Sequence, residues 1–331
     1  MNPDVGRGFT NRIEGIRVKN EKGERPSWAP PVLRGERMEA GLRTLELDVR
    51  RRLDGLLQGN HLGLVPGPGS EPGEARPYQP GDDVRRMDWA VTARTTSPHI
   101  RETVADRELE TWLVADVSAS LDFGTALCEK RDLVVCATAA VAHLTGGGGN
   151  RIGALVSNGA GSITRIPARG GLPHARGLVR KIAETPRAEE GVRGDLAAAL
   201  EKLRRPPRRR GLAVVISDFL GDTEWQRPLR ALGGHHDLIA IEVLDPRDID
   251  LPDVGTVVLA DPETGKQREV HASALLRKEF GAAAHAHRQE VAAALRRAGA
   301  AHLVLRTDSD WIADMVRFVV ARKRRWSGGV A

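Results

Sequence analysis

Trp112 to Gly124 reads WLVADVSASLDFG. The stretch from Trp112 to Ala115 is apolar without alternation, the pattern of a strand buried on both faces. It then turns polar within one step. Asp116, Ser118 and Ser120 follow at intervals of two, with Asp122 next. In an extended or curved loop, that interval returns side chains to one side, so three oxygen-bearing groups can converge at the end of a strand.

The same pattern recurs along the chain. RIGALVSN, GLAVVISD, HDLIAIEVL and AHLVLRT read as further strands, and GSITRIPA as a short alternating one. Helical periodicity marks Ala126 to Leu144, Leu172 to Glu184, Asp195 to Leu203, Thr223 to Leu232, Ser273 to Ala298 and Asp310 to Ala321. Asp195 is well placed to cap its helix. GTVVLADPETGKQREVH reads as strand, turn, strand. Strands apolar on both faces and separated by helices predict an α/β fold with a mostly parallel, Rossmann-like sheet flanked by helices. Its site is expected at the carboxyl ends of the strands.

This core is expected over residues 110–321. Residues 1–38 mix Gly, Pro, Arg and Glu without a period and read as a disordered arm. From Glu39 to Leu57, Leu42, Leu45, Val49, Leu53 and Leu56 recur at helical spacing. A Gly/Pro-rich span then completes an N-terminal region, 39–109, expected to pack on the core. Residues 322–331 read as a basic tail.

Lys plus Arg number 50 against 44 Asp plus Glu, a formal charge of +6, too small an excess for 331 residues to indicate a nucleic-acid binder. Much of it is local, in KLRRPPRRR (Lys202 to Arg210) and RKRR (Arg322 to Arg325), both read as solvated segments. Cys128 and Cys136 read as lying on one helix, about 12 Å apart and beyond disulfide reach. That spacing suits a reducing compartment. With no long apolar span and no signal-peptide core at the start, the expected location is cytoplasmic, with no transmembrane segment.

Asp218 ends the strand of GLAVVISD in the same topological position as Asp116. Neighbouring parallel strands would bring the two carboxylates to one crest of the sheet. Carboxylates held together call for a cation, a shared proton or water. Adjacent hydroxyls suit a hard divalent cation. Two other readings stay open: a strand-to-helix turn in which the polar groups satisfy backbone donors, and nucleophilic catalysis. The last lacks the glycines of a G-x-S-x-G elbow and an evident histidine partner.

DVSAS resembles the D-x-S-x-S metal-dependent adhesion motif of von Willebrand factor A-like domains. The run RPYQPGDDVRRMDWAVTARTTSPHIRE, from Arg76 to Glu102, together with DVSASLDFG and ISDF, resembles the bacterial DUF58 family. Members of that family are often encoded beside MoxR-type AAA+ ATPases. The resemblance implies Asp116, Ser118 and Ser120 as first-loop ligands of Mg²⁺ or Mn²⁺, and Asp218 as the distal acid. The adhesion pattern also has a middle-loop threonine. Here Gly194 stands at the matching place, between Arg193 and Asp195, so one oxygen ligand is lost. Either Asp195 compensates or Arg193 answers the carboxylates instead.

From Tyr78 to Arg94 the chain reads as a turn carrying charges. Pro80 and Gly81 shape the turn, and Asp82, Asp83 and Asp88 can pair with Arg85, Arg86 and Arg94. Trp89 offers an apolar anchor. This is either a structural latch or a recognition surface. No nucleophile or acid-base pair in it suggests catalysis.

These readings converge on a non-enzymatic adaptor that engages a partner protein at the crest. A Mg²⁺ ion whose open position takes the partner's acidic residue would assist the contact. The resemblance implies a role in assembly or maturation beside a MoxR-type ATPase, the Walker loop being absent from this chain. A metal-dependent phosphoesterase or nuclease is one alternative, and a metal-free scaffold is another.

Overall fold

In a computed structural model, the described residues are 12–13, 25–56, 75–78, 87, 89–95, 97–101, 109–146, 149–159, 162–188, 192, 194–204, 210–221, 223–260 and 267–327. Their strands are β1 (Arg12–Ile13), β2 (Ala75–Pro77), β3 (His99–Arg101), β4 (Glu110–Asp116), β5 (Arg151–Ser157), β6 (Ile163–Arg169), β7 (Leu212–Ser217), β8 (Asp237–Leu244), β9 (Thr256–Ala260), β10 (Gln267–His271) and β11 (Ala301–Arg306). The helices are α1 (Met38–Leu56), α2 (Trp89–Thr95), α3 (Lys130–Thr145), α4 (Leu172–Ala183), α5 (Leu196–Arg204), α6 (Gln226–Gly233), α7 (Ala274–Arg297) and α8 (Trp311–Ser327).

The apolar strands assemble into one six-stranded sheet in the order β11-β8-β7-β4-β5-β6. All its pairings are parallel except β5 with β6. This is the mostly parallel, helix-flanked α/β core that the apolar runs predict. Alternation along each strand serves two cores. Leu113 and Ala115 of β4, with Leu212, Val214 and Ile216 of β7, face a core shared with α1, α3, α4 and α8. Trp112, Val114, Ala213 and Val215 face the other, shared with α5, α6 and α7. From β4 the chain crosses to β5 on one side and later returns to β7 on the other. The carboxyl ends of β4 and β7 therefore flank the point where the strand order reverses, which is where open sheets form a crevice.

Two small antiparallel sheets lie apart from this one: β1-β9-β10, built on the expected strand-turn-strand, and β2-β3. Helix α1 follows its leucine spacing, burying Leu45, Val49 and Leu53.

Several boundaries differ from the sequence expectations. Residues 25–38 are not a free arm. Leu33 is buried in the core and Arg25 donates to the Leu127 carbonyl at 2.7 Å. Helix α3 starts at Lys130, not Ala126, so Cys128 precedes it while Cys136 lies on it, and both are free thiols. Helix α8 continues to Ser327, carrying the start of the expected basic tail on a helix, with Arg322 bonded to Asp237 at 2.5 Å. No described helix is long and apolar enough to cross a membrane.

Candidate functional site

The register of β4 against β7 determines which groups meet at the crest. Ala115 pairs with Ile216, so the next step along both strands sets Asp116 beside Ser217. By alternation both belong to the face of α5, α6 and α7, whereas Asp218, one residue further, belongs with the face of α3. Ser217 Oγ donates to Asp116 Oδ2 at 2.8 Å, and the Ser118 amide donates to Oδ1 at 3.0 Å. Ser217 Oγ in turn accepts the Phe219 amide at 3.1 Å. Phe219 holds φ at 52°, a left-handed conformation that is strained for a bulky side chain. It is kept there by burial against Trp225, the ring centroids 5.0 Å apart.

Asp218 meets a buried lysine. Lys130, the first residue of α3 and 0% exposed, donates through Nζ to Asp218 Oδ2 at 2.9 Å and to Asp248 Oδ1 at 3.3 Å. The Leu220 amide donates to Asp218 Oδ1 at 3.2 Å. The Ser120 hydroxyl bonds Asp218 and lies 3.4 Å from that of Ser118. Arg131 fixes the loop from behind. It donates to the Val117 carbonyl at 2.7 Å, to the Thr185 carbonyl at 2.9 Å and to Asp122.

The two acids differ electrostatically as well as in position. Burial, and then the charge of Asp218, push the Asp116 carboxyl up to about 6 against the hydrogen bonds from Ser118 and Ser217. Burial pushes Asp218 up too, but the Lys130 ammonium outweighs it and leaves Asp218 below the usual carboxylate range. Burial disfavours the Lys130 charge, yet Asp218 and Asp248 together hold its pKa above that of a free lysine.

Asp116, Ser118, Ser120 and Ser217 line a cavity of about 60 Å³ together with Gly194 and Asp195. Asp195 caps α5, Oδ1 accepting the Ala198 amide at 2.8 Å, so that oxygen is occupied as its sequence position predicts. Arg193 lies outside the described residues. So do Asp82, Asp83, Arg85, Arg86 and Asp88. Of the remaining residues in that stretch, Tyr78 donates its amide to the Pro98 carbonyl at 2.8 Å. Trp89 opens α2 with 71% of its surface exposed, and Arg94, also exposed, lies on the same helix.

Sequence reasoning missed Lys130, Asp248 and Arg131. One signal could have revealed the lysine: Lys130, Leu133, Val134, Ala137 and Val141 form a helical stripe of buried positions, so its stem had to enter the core. It also missed a second buried charge network on β8. There Glu242 pairs with Arg288 of α7 and with His302 of β11, the latter at 2.8 Å, while Arg288 reaches the Asp218 carbonyl at 2.9 Å.

The donor set bears on the implied Mg²⁺. Asp116 is a buried carboxyl whose pKa is raised by burial and by the charge of Asp218, and Ser118 and Ser120 line the cavity with it. A hard cation fits those oxygens. Asp218 fits the ligand role less well, because Lys130, Leu220 and Ser120 already occupy it. The absence of a side chain on Gly194 leaves part of the shell to water or a partner. Among the described residues, no group of three or more His, Cys, Asp or Glu is arranged to hold a metal.

The family model described as a protein of unknown function, DUF58, matches residues 74–290, a span that contains the crest and most of the sheet. The chain belongs to the DUF58 family. Uncharacterized proteins of Mycobacterium tuberculosis and Mycobacterium bovis are each 63% identical to this DUF58 chain over 299 residues, covering 89% of it and 94% of the relative. Among solved structures, the conserved hypothetical protein BatB from Bacteroides thetaiotaomicron is similar at 10% identity and a TM-score of 0.38, covering 65% of this chain and 99% of BatB. An aerotolerance-related membrane protein from Bacteroides fragilis is similar at 12% identity and a TM-score of 0.37, covering 64% and 99%.

Proposed function

We propose that this DUF58 chain is a non-enzymatic interaction adaptor with a von Willebrand A-like core. It acts in the cytoplasm and engages its partner at the cavity between the carboxyl ends of β4 and β7. One observation carries the reading. Asp116, held at the cavity by Ser118 and Ser217, keeps a raised pKa, while its neighbour Asp218 is neutralised by Lys130. Among the described residues, the crest thus presents one carboxylate short of a cation, next to two hydroxyls, rather than a matched pair of acids. Asp116, Ser118 and Ser120 would hold Mg²⁺, which would supply a directional, charge-assisted contact to an acidic residue of the partner. By its resemblance to DUF58 proteins encoded beside such enzymes, that partner would be a MoxR-type AAA+ ATPase, in protein assembly or maturation.

Affinity purification of the wild type and of Asp116→Ala, in buffer containing Mg²⁺, tests the reading. The wild type is expected to retain the ATPase and the variant to lose it. Equal retention by both would remove the crest as the contact surface. Mg²⁺-dependent cleavage of a phosphodiester by the wild type, abolished in Asp116→Ala, would replace the adaptor with an enzyme.

A further inference from the structure

Away from the crest, the face built by α6 and α7 carries a groove of about 440 Å³ lined by Gln226, Arg227, Arg230, Ala231, Ala294 and Arg297. We infer that this groove is a second docking surface, and that it takes an acidic segment of a partner protein.

The groove follows from how the two helices meet. A Cβ on Gly233 would lie 1.8 Å from the Ala298 carbonyl oxygen, so the last turn of α6 and the end of α7 are in backbone contact that only glycine permits. Ala231 and Ala294 contribute small side chains between them. Arg227 and Arg230 come from α6, and Arg297 from α7. A large apolar residue at either alanine would occupy this space.

The three arginines differ from others on the surface. Arg176 pairs with Glu46, Arg204 with Glu201 at 2.8 Å, Arg306 with Asp308 at 2.8 Å and Arg322 with Asp237 at 2.5 Å. Among the described residues, no carboxylate stands within ion-pair distance of Arg227, Arg230 or Arg297. Helix stability accounts for part of this placement. Arg230 and Arg297 lie in last turns, where the helix dipole favours a cation. It does not account for Arg227, the second residue of α6, where the same dipole opposes positive charge. Like charges around one groove repel each other until an anion arrives, and guanidinium forks match carboxylates in two-point geometry.

The small apolar residues favour a peptide. Ala231, exposed among the guanidinium groups while Ala294 is buried beneath, suits a segment in which acidic and apolar side chains alternate. A single-stranded nucleic acid would want aromatic side chains for its bases to stack on, and none lines this groove.

The test uses the full chain and a fluorescein-labelled peptide of alternating Glu and Leu, with a Gln and Leu peptide as control, read by fluorescence anisotropy at low and physiological salt. The wild type is expected to bind the Glu peptide and not the Gln peptide. The triple variant Arg227→Gln, Arg230→Gln, Arg297→Gln is expected to weaken binding about tenfold or more, the sum of a few exposed charge contacts. Because all three side chains are exposed, circular dichroism should show the triple variant folded, and Arg230→Gln alone gives a milder readout. Asp116→Ala should bind the Glu peptide as the wild type does, which keeps this groove distinct from the crest. Equal binding by the triple variant, equal binding of the Gln peptide, or no binding of the Glu peptide by the wild type would overturn the inference. Tighter binding of an oligonucleotide than of the Glu peptide, or displacement of the peptide by inorganic phosphate at comparable concentration, would also overturn it by assigning the groove to phosphate.

Discussion

Asp116 has Ser217 as its neighbour at 2.8 Å, while Asp218, one residue on, turns toward α3 and bonds Lys130 at 2.9 Å. Two acids at the ends of adjacent strands therefore belong to opposite faces of the sheet. Among the described residues no cation pairs with Asp116 in its cavity, whereas Asp218 is built into the scaffold with Lys130.

The scaffold half has a direct test. Lys130→Met leaves Asp218 and Asp248 buried without their cation, and removing one partner of such a cluster costs about 3–5 kcal/mol. Urea denaturation should show that loss. Adding Asp218→Asn to Lys130→Met should recover part of it, because the stranded charge is then removed. A loss under about 1 kcal/mol for Lys130→Met would show that water reaches the cluster.

The cavity half has a pH signature. The Asp116 carboxyl rises from 3.8 to about 6 on folding, so between those values the native state binds the extra proton. Its contribution is neutral below the unfolded pKa and becomes destabilising as pH climbs through that window, by roughly 3 kcal/mol when complete. Asp132, also raised to about 6, adds a slope of the same sign. The informative quantity is therefore the difference between wild type and Asp116→Asn: unfolding free energy should fall more steeply with rising pH in the wild type. Identical slopes would place the Asp116 pKa near its unfolded value.

Arg131 ties the loop to α3 and to the chain after α4. Arg131→Ala removes bonds to the Val117 and Thr185 carbonyls and to Asp122. Hydrogen bonds to charged groups are worth about 1.5–3 kcal/mol each, and the variant should lose at least one such increment. Amide exchange across residues 117–122 should accelerate more than exchange in β8, which distinguishes loop release from global destabilisation.

Gly194 offers a gain-of-function test. Gly194→Thr adds a hydroxyl to the wall of the cavity that Ser118 and Ser120 line, where the resemblance to the adhesion motif implies a threonine. Calorimetric titration with Mg²⁺ should show about tenfold tighter binding than the wild type, the worth of roughly one good oxygen contact. Unchanged affinity would argue against an ion between that wall and the serines.

The fold was legible because strands buried on both faces announce themselves as unbroken apolar runs, as in Trp112 to Ala115 and Leu212 to Ile216. The crest was legible in part. The alternate spacing of Asp116, Ser118 and Ser120 does bring them to one cavity. What spacing could not supply was register: a shift of one residue decides whether Asp116 meets Ser217 or Asp218, and side chains change face with it. Lys130 escaped notice because Glu129, Lys130 and Arg131 look like a solvated run, although the helical stripe through Leu133, Val134 and Ala137 carries the lysine inward. Residues 25–38 show a related effect. Their prolines exclude a helix but do not prevent Leu33 from docking.

The central claim, that the Asp116 cavity is a partner-binding surface, is tested most directly by the affinity of the purified chain for a purified MoxR-type ATPase with Mg²⁺ present, wild type against Asp116→Ala. The account expects measurable binding by the wild type and loss of at least tenfold in the variant, about 1.4 kcal/mol. Equal affinity of the two proteins, with both folded, would contradict it.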